Sequence, residues 1–192
     1  MIIAAHGNYD RPEWQCGVWR SILAHANKQA FVLCPRGVAR NDSPSAEDIR
    51  FTYTSREKFL AELDAGLVAL REAHGAFIDD GPIVFTGFSL GAIYGHAAMV
   101  RDPARFPRAV LTEGSHDQWT PGNAQTFATK GGLRVLFACG QPSCVARSKG
   151  LKLKPIETMV VHGKGVGHGY DDAVAEEITK ALPWLLDGDA RF

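Results

Sequence analysis

The sequence has no net charge, because its 192 residues include 21 Lys and Arg against 21 Asp and Glu. The basic residues are scattered along the chain, so no stretch of sequence provides a strongly positive surface. Binding to a nucleic-acid backbone or to an anionic membrane surface requires such a surface. We therefore expect no nucleic-acid partner.

Long apolar runs are absent as well. The longest, such as Met1–Ala5 and Leu133–Cys139, are far shorter than the roughly 20 residues of a membrane-spanning helix. We therefore predict no membrane span. The N-terminus also lacks the basic segment and long apolar segment of a secretory leader, although a chain with its leader trimmed would look the same.

Cysteine is scarce, with four residues in a chain of 45% hydrophobic content. Residues 1–192 are long enough to form one domain with its own core, without a metal or a disulfide framework. No cysteine pair has C-x-x-C spacing and no H-E-x-x-H motif occurs. We predict neither a metal site nor an organic cofactor.

Six short apolar segments recur along the chain, and each ends in Gly, Pro or a polar turn. Their continuous apolar character is typical of strands that are covered on both faces. Helical segments separate them, which predicts an α/β fold with a parallel sheet between helices. The predicted strands are Met1–Ala5, Ala30–Cys34, Ile83–Thr86, Ala109–Thr112, Leu133–Ala138 and Thr158–Val161.

The clearest predicted helix runs from Ser55 to His74, where apolar residues recur at three- and four-residue intervals. Thr54 and Glu57 have the spacing of a capping box, and Gly75 is placed to end the helix in the left-handed conformation. The segment Cys139–Cys144 is predicted to be a loop. Weaker helices are predicted at Glu13–Asn27, Leu90–Val100, Asn123–Lys130 and Asp172–Leu186.

A Gly-x-Ser-x-Gly motif lies between the predicted strand Ile83–Thr86 and the helix that follows it. A serine on such a sharp turn needs a positive φ, and Gly87 and Gly91 lack the bulk that would prevent the turn from closing. The Ser89 hydroxyl would then be exposed at a helix N-terminus, where developing negative charge is stabilised. This context favours a nucleophile over a structural turn.

We call the turn Gly87–Gly91 the elbow. The sequence resembles the α/β-hydrolase superfamily in this elbow, in the opening His6-Gly7-Asn8 and in the late Gly165–Tyr170 loop. Within it, the chain is similar to small esterases of the dienelactone hydrolase and carboxylesterase/phospholipase type. The resemblance implies about six parallel strands with helices on both faces, a three-layer sandwich. It also implies that the first two strands of the full fold are absent.

The resemblance assigns roles to several residues. Ser89 matches the nucleophile, and His168 in its glycine-rich loop matches the general base. The backbone N–H groups of Leu90 and Asn8 match the two donors of the oxyanion hole. The implied reaction is hydrolysis of a carboxylic ester or thioester, presented in solution or on a surface.

The acid is where the sequence departs from the family. Most relatives carry an Asp after the strand that corresponds to Leu133–Ala138, but no carboxylate is present there. Glu113, after the preceding strand, is the favoured replacement and Asp117 the second. Asp171, Asp172 or a Ser-His dyad remain open.

The missing aspartate coincides with Cys139 and Cys144, and we predict a short disulfide that stiffens this loop. Cys16 and Cys34 form a second predicted pair, because the elements that carry them are expected to flank the first strand. If both pairs form and a leader was trimmed, the protein is expected to be secreted or periplasmic; otherwise it is expected to be cytoplasmic.

Aromatic residues near these motifs are candidates for an apolar substrate groove: Tyr9, Phe88 and Trp119. No segment between Ala109 and Leu133 is long enough for a large lid, so an open site is expected. The alternative function is a binding or scaffold protein on a hydrolase fold that has lost activity, favoured by the missing acid. Composition and motifs give no prediction of oligomeric state.

Overall fold

A computed structural model describes residues 1–192. Six parallel strands form one sheet with the spatial order β2-β1-β5-β6-β7-β8. The predicted α/β fold with a six-stranded parallel sheet is confirmed. The strands of this sheet are β1 (Ile2–Ala5), β2 (Val32–Leu33), β5 (Val84–Phe88), β6 (Arg108–Thr112), β7 (Arg134–Cys139) and β8 (Glu157–His162).

Helices cover both faces of the sheet. Alternate residues of β1 enter opposite cores, with Ile3 facing one helix layer and Ile2 the other. The first core contains side chains from α2, α3 and α4, and the second contains side chains from α1 and α6. The helices are α1 (Pro12–His25), α2 (Arg56–His74), α3 (Leu90–Arg101), α4 (Pro121–Thr129), α5 (Pro142–Gly150) and α6 (Asp172–Leu186). None of them is long and apolar enough to cross a membrane.

Both predicted ends of α2 were wrong in detail. The N-cap is Ser55 rather than Thr54, and its side chain accepts a hydrogen bond from the Lys58 N–H. Gly75 has a right-handed φ of −53°, because the chain continues into a 3₁₀ turn at Gly75–Phe77 instead of reversing.

Two elements were not predicted. Helix α5 occupies Pro142–Gly150, so the segment predicted to be a loop begins a helix at its C-terminal end. The second is a small antiparallel pair of strands. Strand β3 (Val38–Ala39) follows β2, and strand β4 (Phe51–Thr52) precedes α2. Each of these strands has two residues, which is too short for a periodic pattern.

The carboxyl ends of the parallel strands meet at one edge of the sheet, which is where open α/β sheets bind ligands. Ser89 follows β5 and Glu113 follows β6. His168 lies in the loop between β8 and α6, and Asn8 follows β1. The topology therefore gathers residues that are up to 160 positions apart in sequence.

Burial lowers the pKa of His96 in α3 to about 4, with a smaller contribution from the charge of Arg56. Its ring packs edge-to-face on Trp119, with 4.8 Å between ring centroids. In the unfolded chain His96 is protonated below about pH 6.5, whereas in the folded protein it is protonated only below about pH 4. The free energy of unfolding is therefore unaffected by His96 above pH 6.5 and decreases as the pH falls from 6.5 towards 4.

We expect the variant His96→Gln to reduce this acid sensitivity, which amounts to at most about 1.4 kcal/mol per pH unit in that range. Urea unfolding of both proteins at pH 7.5, 6 and 5 measures the effect. Parallel loss of stability in wild type and variant would contradict the assignment.

Candidate active site

Ser89 lies on the turn between β5 and α3, with φ 50° and ψ −112°. This backbone conformation costs about 1–3 kcal/mol for a residue other than glycine, and the surrounding structure has to hold it. The Ser89 N–H donates to the Thr112 carbonyl at 2.9 Å, and the Ser89 carbonyl accepts from the Ile93 N–H at 3.0 Å. A Cβ at Gly91 would collide with the carbonyl oxygens at the end of β1, so this position requires glycine.

The His168 ring reaches this elbow from the loop between β8 and α6. Its Nε2 lies 3.0 Å from Ser89 Oγ, within hydrogen-bond reach. The ring also packs on Phe88, with 5.0 Å between centroids, and its side chain is 48% exposed. The histidine is thus oriented by packing while one side stays open to an incoming molecule.

Glu113 is the carboxylate that faces His168. Its Oε2 lies 3.3 Å from His168 Nδ1, and its side chain is only 2% exposed. Its Oε1 accepts hydrogen bonds from the N–H groups of Gly140 at 2.6 Å and Gln141 at 2.8 Å. These two donors stabilise a buried charge that would otherwise be costly.

The other acids considered from the sequence do not contact the His168 ring. Asp117 is 65% exposed and pairs with Arg147 at 3.3 Å. Asp171 and Asp172 lie at the start of α6, where Asp171 is the N-cap residue. Of the four carboxylates, Glu113 alone is placed to orient the imidazole.

Both predicted cysteine pairs are joined in the structure, with Cα–Cα distances of 6.0 Å for Cys16–Cys34 and 5.6 Å for Cys139–Cys144. The second disulfide encloses the two backbone amides that hold Glu113. Glu113 and the sulfur atoms of this pair form a cluster within 4.8 Å, but sulfurs bonded to each other do not provide the thiolates that bind metals.

The loop that carries Cys139–Cys144 also packs against the loop that carries His168. A Cβ atom at Gly140 would collide with the Gly167 carbonyl oxygen. The backbone of the Cys139–Cys144 loop is therefore in direct contact with the backbone of the loop between β8 and α6.

Two backbone donors face no acceptor within the protein. Leu90 is the first residue of α3, and its N–H makes no hydrogen bond; the same is true of the Asn8 N–H. Gly7 lies against the elbow, since a Cβ there would be 3.4 Å from Ser89 Cβ. Both predicted oxyanion donors are thus free, at the edge that carries Ser89.

Asp10 and Tyr170 connect the loop after β1 to the loop that carries His168, and the sequence analysis missed both. The buried Asp10 carboxylate accepts from the Gly7 N–H at 3.2 Å and from the Tyr170 hydroxyl at 3.2 Å. Burial and the nearby Asp10 charge raise the pKa of Tyr170, so its hydroxyl remains a donor. The only signal in the sequence was their position, because Asp10 follows Gly7 by three residues and Tyr170 follows His168 by two.

Two clefts meet at His168. The polar cleft, about 340 Å³, lies between Ser89 and helix α5, and the aromatic cleft, about 450 Å³, lies towards α1. Tyr9 and Phe88 line the aromatic cleft as predicted neighbours of the site. Trp119 lines neither cleft; it is 5% exposed and packs on Phe127 in the core, which corrects its prediction as a groove residue.

Several solved structures share this architecture. An uncharacterized protein from Bacillus cereus ATCC 10987 is 17% identical, with a TM-score of 0.69, over 97% of this chain and 59% of that one. SOBER1 from Arabidopsis thaliana is 12% identical with a TM-score of 0.60, over 97% and 98% of the two chains. Esterase PE8 is 14% identical with a TM-score of 0.64, over 96% and 92%.

This chain therefore spans 59% of the Bacillus cereus protein but nearly the whole of SOBER1. No protein-family model matches the sequence, and no curated protein is similar at a significant level. The structural similarity shows that the chain has the α/β-hydrolase fold, in the minimal form with six strands.

Proposed function

We propose that this protein is a serine hydrolase that cleaves a carboxylic ester or thioester through an acyl-enzyme intermediate. The observation that carries the proposal is the continuous series of contacts from Ser89 Oγ through the His168 ring to the buried Glu113 carboxylate. The structurally similar esterase PE8 is named for the same class of reaction.

In the first step, Ser89 Oγ attacks the acyl carbonyl carbon while His168 Nε2 takes the hydroxyl proton. The tetrahedral intermediate collapses, the bond to the leaving alcohol or thiol breaks, and His168 returns the proton to that group. Water then attacks the acyl-enzyme by the same route, which releases the carboxylic acid and restores Ser89.

The remaining groups serve these two steps. Glu113 holds the imidazole in the tautomer with the proton on Nδ1 and stabilises the imidazolium that forms. The N–H groups of Leu90 and Asn8 stabilise the oxyanion of each tetrahedral intermediate. No step requires a metal or an organic cofactor.

A fluorophosphonate probe tests the proposal, because it reacts covalently with an activated serine. We expect the wild type to be labelled at Ser89 and the variant Ser89→Ala to remain unlabelled. The control Ser21→Ala, which removes an exposed serine of α1, is expected to label like the wild type. An unlabelled wild type would contradict the proposal and favour the inactive binding or scaffold protein.

A further inference from the structure

The loop between β8 and α6, which carries His168, is rich in glycine. Two of its glycines have a positive φ, 89° at Gly165 and 74° at Gly167. Within the loop, one backbone hydrogen bond runs from the Gly169 N–H to the Gly167 carbonyl oxygen at 3.0 Å. Glycine loses more conformational freedom on folding than any other residue. Contacts from outside the loop are therefore needed to hold the His168 ring at Ser89 Oγ.

Two such contacts lie on opposite sides of the imidazole. On one side, the loop rests on the backbone of the Cys139–Cys144 loop. On the other side is Tyr170, two residues after His168, whose hydroxyl donates to Asp10 Oδ1 at 3.2 Å. The Tyr170 ring also packs edge-to-face on Phe88, with 4.6 Å between ring centroids, and Phe88 in turn packs on the His168 ring. The Tyr170 hydroxyl thus links the histidine loop to a residue outside it.

Asp10 is held on all sides, so it can serve as a fixed point for this link. Its Oδ2 accepts from the Gly7 N–H at 3.2 Å, and its Oδ1 accepts from the Arg11 N–H at 2.8 Å as well as from Tyr170. Its backbone pairs with Phe51 of β4 through hydrogen bonds of 3.3 Å and 2.8 Å. The carboxylate is 5% exposed and takes part in no salt bridge. Such a buried charge is costly unless donors satisfy it, which favours keeping the Tyr170 hydroxyl in place.

We propose that Asp10 and Tyr170 are positioning residues for His168, an inference that rests on the proposed function. The Asp10 carboxylate holds the Tyr170 hydroxyl, and this hydrogen bond keeps the glycine-rich loop closed on the elbow with His168 Nε2 at Ser89 Oγ. Neither residue forms a hydrogen bond with Ser89 or His168, so both act through the loop. The imidazole has to serve as base and then as acid, and displacements of about 1 Å are sufficient to impair both roles.

The variant Tyr170→Phe tests this role, because it removes the hydroxyl and keeps the ring that packs on Phe88. The Gly7 N–H also keeps its acceptor in this variant. Two acetate esters give the same acyl-enzyme: ethyl acetate, whose leaving alkoxide needs a proton from His168, and p-nitrophenyl acetate, whose nitrophenolate leaves without one. We expect kcat/KM, which reports acylation, to fall about tenfold for ethyl acetate and at most about threefold for p-nitrophenyl acetate.

Two further comparisons show whether Tyr170 acts through Asp10. In the background Asp10→Ala, which lacks the acceptor, adding Tyr170→Phe is expected to cause less than about a twofold further loss with either ester. Should Asp10→Ala fold poorly in thermal unfolding, the two losses of the single variant Tyr170→Phe decide the question. The matched control Tyr94→Phe removes the hydroxyl of a tyrosine in α3 that packs on Phe59, and it is expected to keep the wild-type rates with both esters.

Fluorophosphonate labelling distinguishes failure of this inference from failure of the proposed function. A purely structural role of Tyr170 would lower kcat/KM for both esters by the same factor, because it would reduce the amount of folded enzyme. If Ser89 is labelled but Tyr170→Phe affects both esters equally, or neither, the positioning role is wrong and the hydrolase assignment stands. A full further loss in the Asp10→Ala background would likewise overturn it. If the wild type is not labelled, both proposals fall.

Discussion

The variant Glu113→Gln is expected to lower kcat by about 1,000- to 10,000-fold, the scale of tautomer loss in a serine triad. The Glu113 Oε1 accepts the N–H groups of Gly140 and Gln141, while Oε2 faces His168. A glutamine has one carboxamide oxygen, and the two backbone donors hold it on their side. Its NH₂ group then faces His168 Nδ1 and favours the tautomer with the proton on Nε2, which cannot accept the proton of Ser89.

Ester hydrolysis by purified wild type and variant measures this effect, and thermal unfolding verifies that the variant is folded. Asp117→Asn provides the comparison, since Asp117 is exposed and pairs with Arg147 rather than with the imidazole. A large loss in Asp117→Asn together with a small loss in Glu113→Gln would move the acid to Asp117. Small losses in both would indicate a Ser-His dyad.

Removal of the Cys139–Cys144 disulfide is expected to lower kcat by about 10- to 100-fold, whereas removal of Cys16–Cys34 is expected to leave kcat unchanged. The Cys139–Cys144 disulfide closes the loop whose amides hold Glu113, so its loss would let the Glu113 carboxylate move away from the His168 imidazole. Displacements of about 1 Å are sufficient for losses of this size. The Cys16–Cys34 disulfide joins α1 to the chain just after β2 and encloses none of Ser89, Glu113 and His168.

Double alanine variants of each pair make this comparison. The chain-entropy relation predicts a loss of about 3 kcal/mol for the sequence separation of 18 and about 2 kcal/mol for the separation of 5. Both double variants are thus expected to have a lower free energy of unfolding than the wild type. Only the variant without Cys139–Cys144 is expected to have a lower kcat. Thiol titration of denatured, unreduced wild type should find no free thiol. Equal kcat in the two double variants would refute the bracing role of the Cys139–Cys144 loop.

The sequence predicted the elbow well because its constraints are local. The glycines at 87 and 91 are required by close backbone approach on both sides of Ser89, and a buried strand precedes them. The parallel sheet was equally predictable, because strands covered on both faces are continuously apolar. The strand bounds nevertheless shifted by one or two residues.

The acid could be predicted only as one of several candidates. Which carboxylate faces the imidazole depends on the positive φ of Glu113 and on the two amide donors beyond β7. Neither feature has a pattern in the sequence. Helix α5 was missed because its nine residues carry no apolar stripe, and Pro142 at its first turn was the remaining signal.

The polarity of the cleft was also beyond the sequence. In the segment 115–119, only Asp117 and Trp119 were given roles from the sequence, as a candidate acid and a candidate groove residue. In the fold the Trp119 indole packs in the core, and residues of the neighbouring turn His116–Gln118 line the polar cleft.

The backbone contact between Gly140 and Gly167 has a consequence for mutagenesis of this protein. A side chain introduced at position 140 would push on the loop that carries His168, although the residue itself lies outside the reacting groups. Random mutagenesis would therefore score position 140 as intolerant, in the same way as a residue that performs chemistry. Substitutions intended to alter the polar cleft are better placed at its exposed lining residue Arg147, which does not contact the His168 loop.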